Sequence, residues 1–142
     1  MLKGYLKMKL ADKKNEMKEM FNVFDDPMDK YVQIIELGKK NKGISDIDKN
    51  DNNRILGCAS LAWVKAVSNK NETYKIFIDS DTFIVKGLLS ILQYIIDGAS
   101  KEEINDLNIE SILQEIGLED SITSQRTNGF MSTLNKIQEQ IN

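Results

Sequence analysis

The chain changes its hydrophobic period twice, and the order of those changes constrains its fold more than any single residue does. Apolar residues recur at helical spacing up to about residue 40, two β-rich runs follow a polar loop, and helical patterns return from Phe83 onward. The β-rich runs are Leu61-Ala62-Trp63-Val64-Lys65-Ala66-Val67 and Thr73-Tyr74-Lys75-Ile76-Phe77-Ile78-Asp79. The short polar stretch Ser68-Asn69-Lys70-Asn71 between them predicts an antiparallel hairpin. Ile55-Leu56 offers a short third strand. Strands grouped together, rather than alternating with helices, predict an α+β fold: a small antiparallel sheet packed against helices. Alternation puts Tyr74, Ile76 and Ile78 on one face, with Leu61, Trp63 and Val67 in phase on the neighbouring strand.

The helical segments carry their own start and stop signals. Asp12 to Phe24 places Met17, Met20, Phe21 and Phe24 at helical spacing, and Asp25-Asp26-Pro27 then ends that run while capping the next. The second helix, Pro27 to Lys40, sets Met28, Tyr31, Ile34, Ile35 and Leu37 on one face, with Gly38 as a weakened last turn or a close packing contact. Asn41 to Asn53 reads as a loop anchored by Ile44 and Ile47. Phe83 to Asp97 is apolar around most of its circumference, as a helix covered on several sides should be, and Gly98 closes it. Ser100-Lys101-Glu102-Glu103 has the capping-box pattern, Ile109 to Ile116 is amphipathic and stopped by Gly117, and Gln125 to Ile141 forms the last helix.

A length of 142 residues suits one core and one domain, with residues 1–11 as a loosely ordered N-terminal extension. A formal charge of -3 provides no broad basic field, so nucleic acid is not an expected partner. The stretch from Phe83 to Ile96 is interrupted by Lys86, Gly87 and Gln93 and falls short of the roughly 20 residues a bilayer span requires, so no membrane partner is expected either. The first ten residues lack the apolar block and cleavage site of a secretory signal. A lone thiol, unable to form an intrachain disulfide, is best kept in a reducing compartment, which points to the cytoplasm.

Cys58 is the only cysteine, and there is no histidine. Cys-His pairs, Ser-His-Asp triads and histidine-ligated metal sites therefore cannot be assembled from this chain, and one thiol cannot furnish a zinc ribbon or a cluster site. Cys58 lies in Gly57-Cys58-Ala59-Ser60, between a polar loop and a strand. It is either a small buried apolar residue among small neighbours or a displayed nucleophile whose glycine permits an unusual turn. If it reacts, no second cysteine can resolve an internal disulfide. What fits is a thiolate that takes sulfur from a partner, holds it as a persulfide and passes it on. Arg54, Lys86, Arg126 or a helix N-terminus, or groups on the partner, would favour the thiolate. Asp79-Ser80-Asp81 is expected to cap the long helix rather than to bind metal. Arg126 is either a surface cation or an ion-pair partner of one of these aspartates.

Four stretches resemble the SufE family of sulfur acceptors for iron-sulfur cluster assembly. They are Tyr31 to Lys39, Arg54 to Val64, Asp79 to Leu88 and Ser124 to Phe130, and they occur in the family's order from about Phe21 to the last helix. The resemblance implies a fold like that of the IscU cluster scaffold, without the scaffold's metal-ligating cysteines. It implies as partners a SufS-like cysteine desulfurase and a downstream iron-sulfur scaffold. Pyridoxal phosphate would belong to the desulfurase, leaving no cofactor on this chain. Cys58 would be the persulfide acceptor, on a loop that turns outward to meet the desulfurase. Gly57 and Ser60 would suit that movement, and Asp81 and Arg126 match positions tied to the loop's surroundings and to partner contact. The chain departs from the family pattern at Ala59, where Gln is usual, at Lys40-Asn41, where Leu-Pro is usual, and near Gln125, where a Pro is usual. Two other functions fit the same residues: an adaptor that docks on a desulfurase without carrying sulfur, and a one-cysteine peroxidase or redox sensor.

Overall fold

The computed structural model describes residues 9–142. Two helices open the described chain, α1 (Leu10–Asn22) and α2 (Pro27–Lys40), and a 3-10 turn at Asp46–Asp48 interrupts the loop that follows. The strands β1 (Ala62–Ser68) and β2 (Tyr74–Ser80) come next, then α3 (Phe83–Ile96), α4 (Lys101–Asn105), α5 (Ile109–Glu115) and α6 (Ser124–Ile141). The fold is α+β, as the segregated periods predict. Of the expected N-terminal extension, residues 1–8 lie outside the described residues, while Leu10 and Ala11 already belong to α1.

The helix boundaries follow local chemistry. Asp26 accepts a 2.9 Å bond from the Met28 amide just before Pro27, whose missing N–H costs nothing in a first helical turn. The capping box at α4 is formed as its sequence predicts, with Ser100 and Glu103 bonding to each other's backbone amides. On α1, Met17 and Phe21 are buried, but the helix ends at Asn22 and leaves Phe24 beyond it. On α2, Ile34 is fully buried whereas Met28 is 62% exposed, so the apolar face is narrower than expected. In the following loop Ile44 is buried but Ile47, the other expected anchor, is 84% exposed.

β1 and β2 pair antiparallel from Ala62↔Ser80 to Ser68↔Tyr74. The pairs Val64↔Ile78 and Ala66↔Ile76 put Ala62, Val64 and Ala66 on the core face. Leu61, Trp63 and Val67, expected there, lie on the other parity, and the Lys49 ammonium sits 5.5 Å from the centre of the Trp63 ring. Both parities of β1 are apolar, so hydrophobicity does not choose between them. The helices closing over the sheet leave room for small side chains, and Ala62 and Val64 are completely buried beneath them. The expected third strand is reduced to one bridge, Arg54↔Trp63, held by Ile55 N–H to the Ala62 carbonyl at 2.9 Å and Val64 N–H to the Asn53 carbonyl at 2.8 Å.

α3 is the central element. It packs on α2, β2, α1 and α6, and Ile84, Leu88, Leu89, Ile91, Leu92, Ile95 and Ile96 are all buried. Burial on several sides matches a sequence that is apolar around most of its circumference, while Phe83 at the first turn is 53% exposed. Among the described residues no helix is long and apolar enough to cross a membrane.

Candidate functional site

The segment carrying Cys58 leaves the Arg54–Trp63 bridge, turns at Leu56 and Gly57, and returns to the start of β1. Gly57 has φ +89, a conformation an L side chain seldom adopts, so the turn depends on glycine there. The segment is tied at both ends. On one side Ile55 N–H bonds to the Ala62 carbonyl; on the other the Ser60 hydroxyl accepts a 3.1 Å bond from the Thr82 hydroxyl. The Leu61 carbonyl accepts from the Asp81 amide at 3.0 Å and from the Ser80 hydroxyl at 2.8 Å. Between these ties, Leu56, Gly57, Cys58 and Ala59 make no hydrogen bond to any described residue. Backbone without such bonds costs little to move.

Cys58 is half-buried at a cavity of about 220 Å³. Val85, Leu88 and Leu89 of α3 and Phe130 of α6 form its apolar wall, and Thr123, Gln125 and Arg126 at the start of α6 form its polar side. Gly129 completes the floor, directly beneath the thiol. Burial pushes the Cys58 thiol above its ordinary pKa, and no cation among the described residues offsets that effect. The resting sulfur is therefore a sheltered, protonated thiol. Of the groups expected to favour a thiolate, Lys86 is engaged elsewhere, and Arg126 lines the cavity without lowering the thiol's pKa.

The expected site residues are brought together only in part. Cys58, Ser60 and Arg126 line the one cavity, and Gly57 makes the turn that delivers the cysteine. Asp81 is exposed and not on the cavity wall, and it contributes through its backbone tie to Leu61. The Asp79-Ser80-Asp81 stretch does not cap α3 with a carboxylate: Thr82 is the N-cap and makes no side-chain cap bond.

Asp79 is drawn into the interior instead, with 6% exposure. It accepts from the Ile44 amide at 2.9 Å and the Ser80 amide at 2.8 Å, and it faces Lys49 at 3.3 Å and Lys86 at 3.4 Å. Burial pushes its pKa up, but the two amides and the two ammonium groups outweigh burial and hold the carboxyl below its usual range. Of the two aspartates considered as partners for Arg126, Asp79 thus pairs with lysines, and Asp81 forms no ion pair with Arg126. Among the described residues no group of three or more His, Cys, Asp or Glu side chains is placed to hold a metal ion.

Sequence reasoning did not single out Gly129 or the apolar wall. A glycine in the second turn of an 18-residue helix was the available signal, because such a position weakens a helix unless something needs the space.

The family model SufE, described as the Fe-S metabolism associated domain, matches residues 15–141. An uncharacterized SufE-like protein of Rhizobium etli is 33% identical over 123 residues, covering 84% of this chain and 83% of that protein. A second uncharacterized SufE-like protein, of Rhizobium meliloti, is 32% identical over 123 residues, covering 84% of this chain and 88% of its own. The solution structure of a hypothetical protein from Thermus thermophilus superposes with a TM-score of 0.72 at 18% identity, covering 91% of this chain and 93% of that one, a likeness of fold.

Proposed function

Given that this chain belongs to the SufE family, a domain associated with iron-sulfur metabolism, we propose that it accepts persulfide sulfur on Cys58 from a SufS-like cysteine desulfurase. It thereby speeds the desulfurase and hands the sulfur to an iron-sulfur scaffold. The observation that carries this reading is the sheltered thiol. The chain's one cysteine rests in a cavity with room beside it, on a segment tied only at its ends.

The transfer is a thiol exchange at sulfur. Turned outward, Cys58 loses the burial that raises its pKa and ionises more readily. Its thiolate attacks the terminal sulfur of the desulfurase persulfide, forming a new S–S bond as the partner's S–S bond breaks. The partner's cysteine leaves with that bond's electron pair and takes up the proton Cys58 gave up. The transferred sulfur keeps its oxidation state, so no external oxidant or reductant is consumed. Pyridoxal phosphate is assigned to the desulfurase and no cofactor to this chain. In this reading Gly57 and Ser60 are the two ends of the moving segment, and Asp81 and Arg126 meet the partner. A reducing compartment, the cytoplasm, keeps the thiol free.

A protonated thiol at rest disfavours the peroxide-sensing alternative, which needs a standing thiolate. The test is intact-protein mass after incubation with a desulfurase and cysteine. Wild type should gain one sulfur atom, and Cys58→Ser should gain none. An unmodified wild type, or an undiminished adduct on Cys58→Ser, overturns the reading. Stimulation of the desulfurase by Cys58→Ser at wild-type level would instead favour the adaptor.

A further inference from the structure

We propose that Gly129 is a positioning residue for Cys58: its bare Cα on α6 keeps open the seat in which the thiol rests, and a methyl group there drives the sulfur out of that seat. The geometry is specific to the sulfur atom. A Cβ at position 129 would lie 2.8 Å from Cys58 Sγ and 3.9 Å from Cys58 Cβ, and apart from its chain neighbours and the helix's own backbone no other atom of the described residues falls within 4 Å. The first distance forces something to move, while the second is an ordinary contact. Nothing but the sulfur requires glycine here.

Which side gives way follows from how each is held. α6 is fixed at this turn: Gly129 and Phe130 are buried, and the fully buried Thr133 donates its hydroxyl to the Gly129 carbonyl at 2.8 Å. Leu56 to Ala59 have no hydrogen bond to another described residue to break. The yielding partner is therefore Cys58, whose sulfur leaves the seat by turning its side chain or with the segment that carries it. A glycine in a helix interior is also unfavourable relative to alanine, so the seat is kept at the expense of helix stability. The inference rests on the sulfur-acceptor reading only for its purpose, which is to withhold the thiol until a partner docks.

The experiment is a double-mutant cycle on the whole chain with Gly129→Ala, Cys58→Ala and the pair, followed by thermal unfolding, together with iodoacetamide labelling of the two proteins that retain Cys58. In the Cys58→Ala background, Gly129→Ala should hold or raise Tm, because alanine is the better helix former and the sulfur is gone. In the wild-type background the same substitution should lower Tm, or raise it less. Labelling of Cys58 in Gly129→Ala at neutral pH should be on the order of tenfold faster than in wild type, with its pH midpoint moved down toward that of an ordinary cysteine. Equal Tm changes in the two backgrounds, or a folded Gly129→Ala whose labelling profile overlies that of wild type, overturns the proposal. If Gly129→Ala alone does not fold, the pair decides: folding of the pair supports the seat and its failure overturns it. Neither readout involves a desulfurase, so a failure of sulfur transfer and a failure of the seat are separable.

Discussion

Glycine brings elements close both where α2 crosses α3 and where α6 meets the cysteine segment, and the two contacts have opposite mechanical consequences. Where α2 crosses α3, a Cβ on Gly87 would lie 1.9 Å from the Ile34 carbonyl oxygen and one on Gly38 would lie 2.1 Å from the Phe83 carbonyl oxygen. Backbone meets backbone, each held by its own helix, and neither can retreat. Where α6 meets the cysteine segment, the glycine faces a side-chain sulfur on a segment whose middle makes no hydrogen bond to another described residue. The first contact welds two helices of the core, and the second seats a movable group. The difference lies in what opposes the missing Cβ, not in the residue itself.

The largest expected effect tests the weld. Gly87→Ala should destabilise the protein by about 3 kcal/mol, the upper end for overpacking, because no side-chain rotamer can absorb the clash. Urea unfolding followed by circular dichroism measures it. A loss below about 1 kcal/mol would show that the α2–α3 crossing yields as the cysteine segment does, and the contrast would collapse.

Asp79→Asn comes next, because Asp79 ties the loop ahead of the cysteine segment to β2 and α3 through Ile44, Lys49 and Lys86. Losing a buried carboxylate that serves two lysines should cost about 2 kcal/mol, less than a wholly buried pair since the Lys49 side chain is 30% exposed. Its pH dependence has a definite sign. The folded-state pKa is depressed below the ordinary 3.8, so the contribution is complete above that value and is lost as pH falls through the folded pKa. Urea midpoints for wild type and variant should differ by a constant amount from pH 5 to 7 and converge in stronger acid. A difference that persists unchanged at the lowest pH would mean that the charge on Asp79 is not what holds the loop.

The same contrast explains which features were legible in the sequence. Caps and periods are local, so Asp26-Pro27, the Ser100–Glu103 box and the order of elements could be read directly. The role of Asp79 could not, because its partners Ile44 and Lys49 come from a loop more than 25 residues away in sequence, and an aspartate before a helix looks like a cap whether or not it is one. The parity of β1 was hidden because the buried residues are the small ones, Ala62 and Val64, while the more conspicuous Trp63 faces Lys49. Gly38 offered two readings, and the Phe83 carbonyl selects close contact. For the candidate site, the thiol and its glycine turn were visible, but Gly129 and the apolar wall of Val85, Leu88 and Leu89 depend on how α3 and α6 are placed around the segment.

A smaller perturbation separates the two regions from each other. Thr123 caps α6 by accepting from the Arg126 amide at 3.3 Å, a long bond at an exposed position. Thr123→Ala should therefore cost about 0.5 kcal/mol, the low end for a cap. Amide exchange should quicken over residues 124–129, the turns that carry Gln125, Arg126 and Gly129 on the cavity wall, and stay unchanged across the α2–α3 crossing. Equal loosening at both places would mean that the seat and the weld belong to one cooperative unit.

The weakest effect comes from the thiol itself. Burial raises the Cys58 pKa above its ordinary value of 9.0, so on alkaline titration the unfolded chain releases this proton before the folded one does. The folded state then binds more protons, and stability falls as pH rises from the unfolded value toward the folded one. Below the unfolded pKa the contribution is constant. Cys58→Ser lacks this group, so the wild-type-minus-variant stability should be flat through neutral pH and decline above about pH 8.5, where a free cysteine begins to ionise. Taking the difference between the two proteins removes the lysine and tyrosine titrations they share. A difference that stays flat to high pH would mean that Cys58 is as solvated in the folded protein as in the unfolded chain, and a thiol already in water needs no seat on α6.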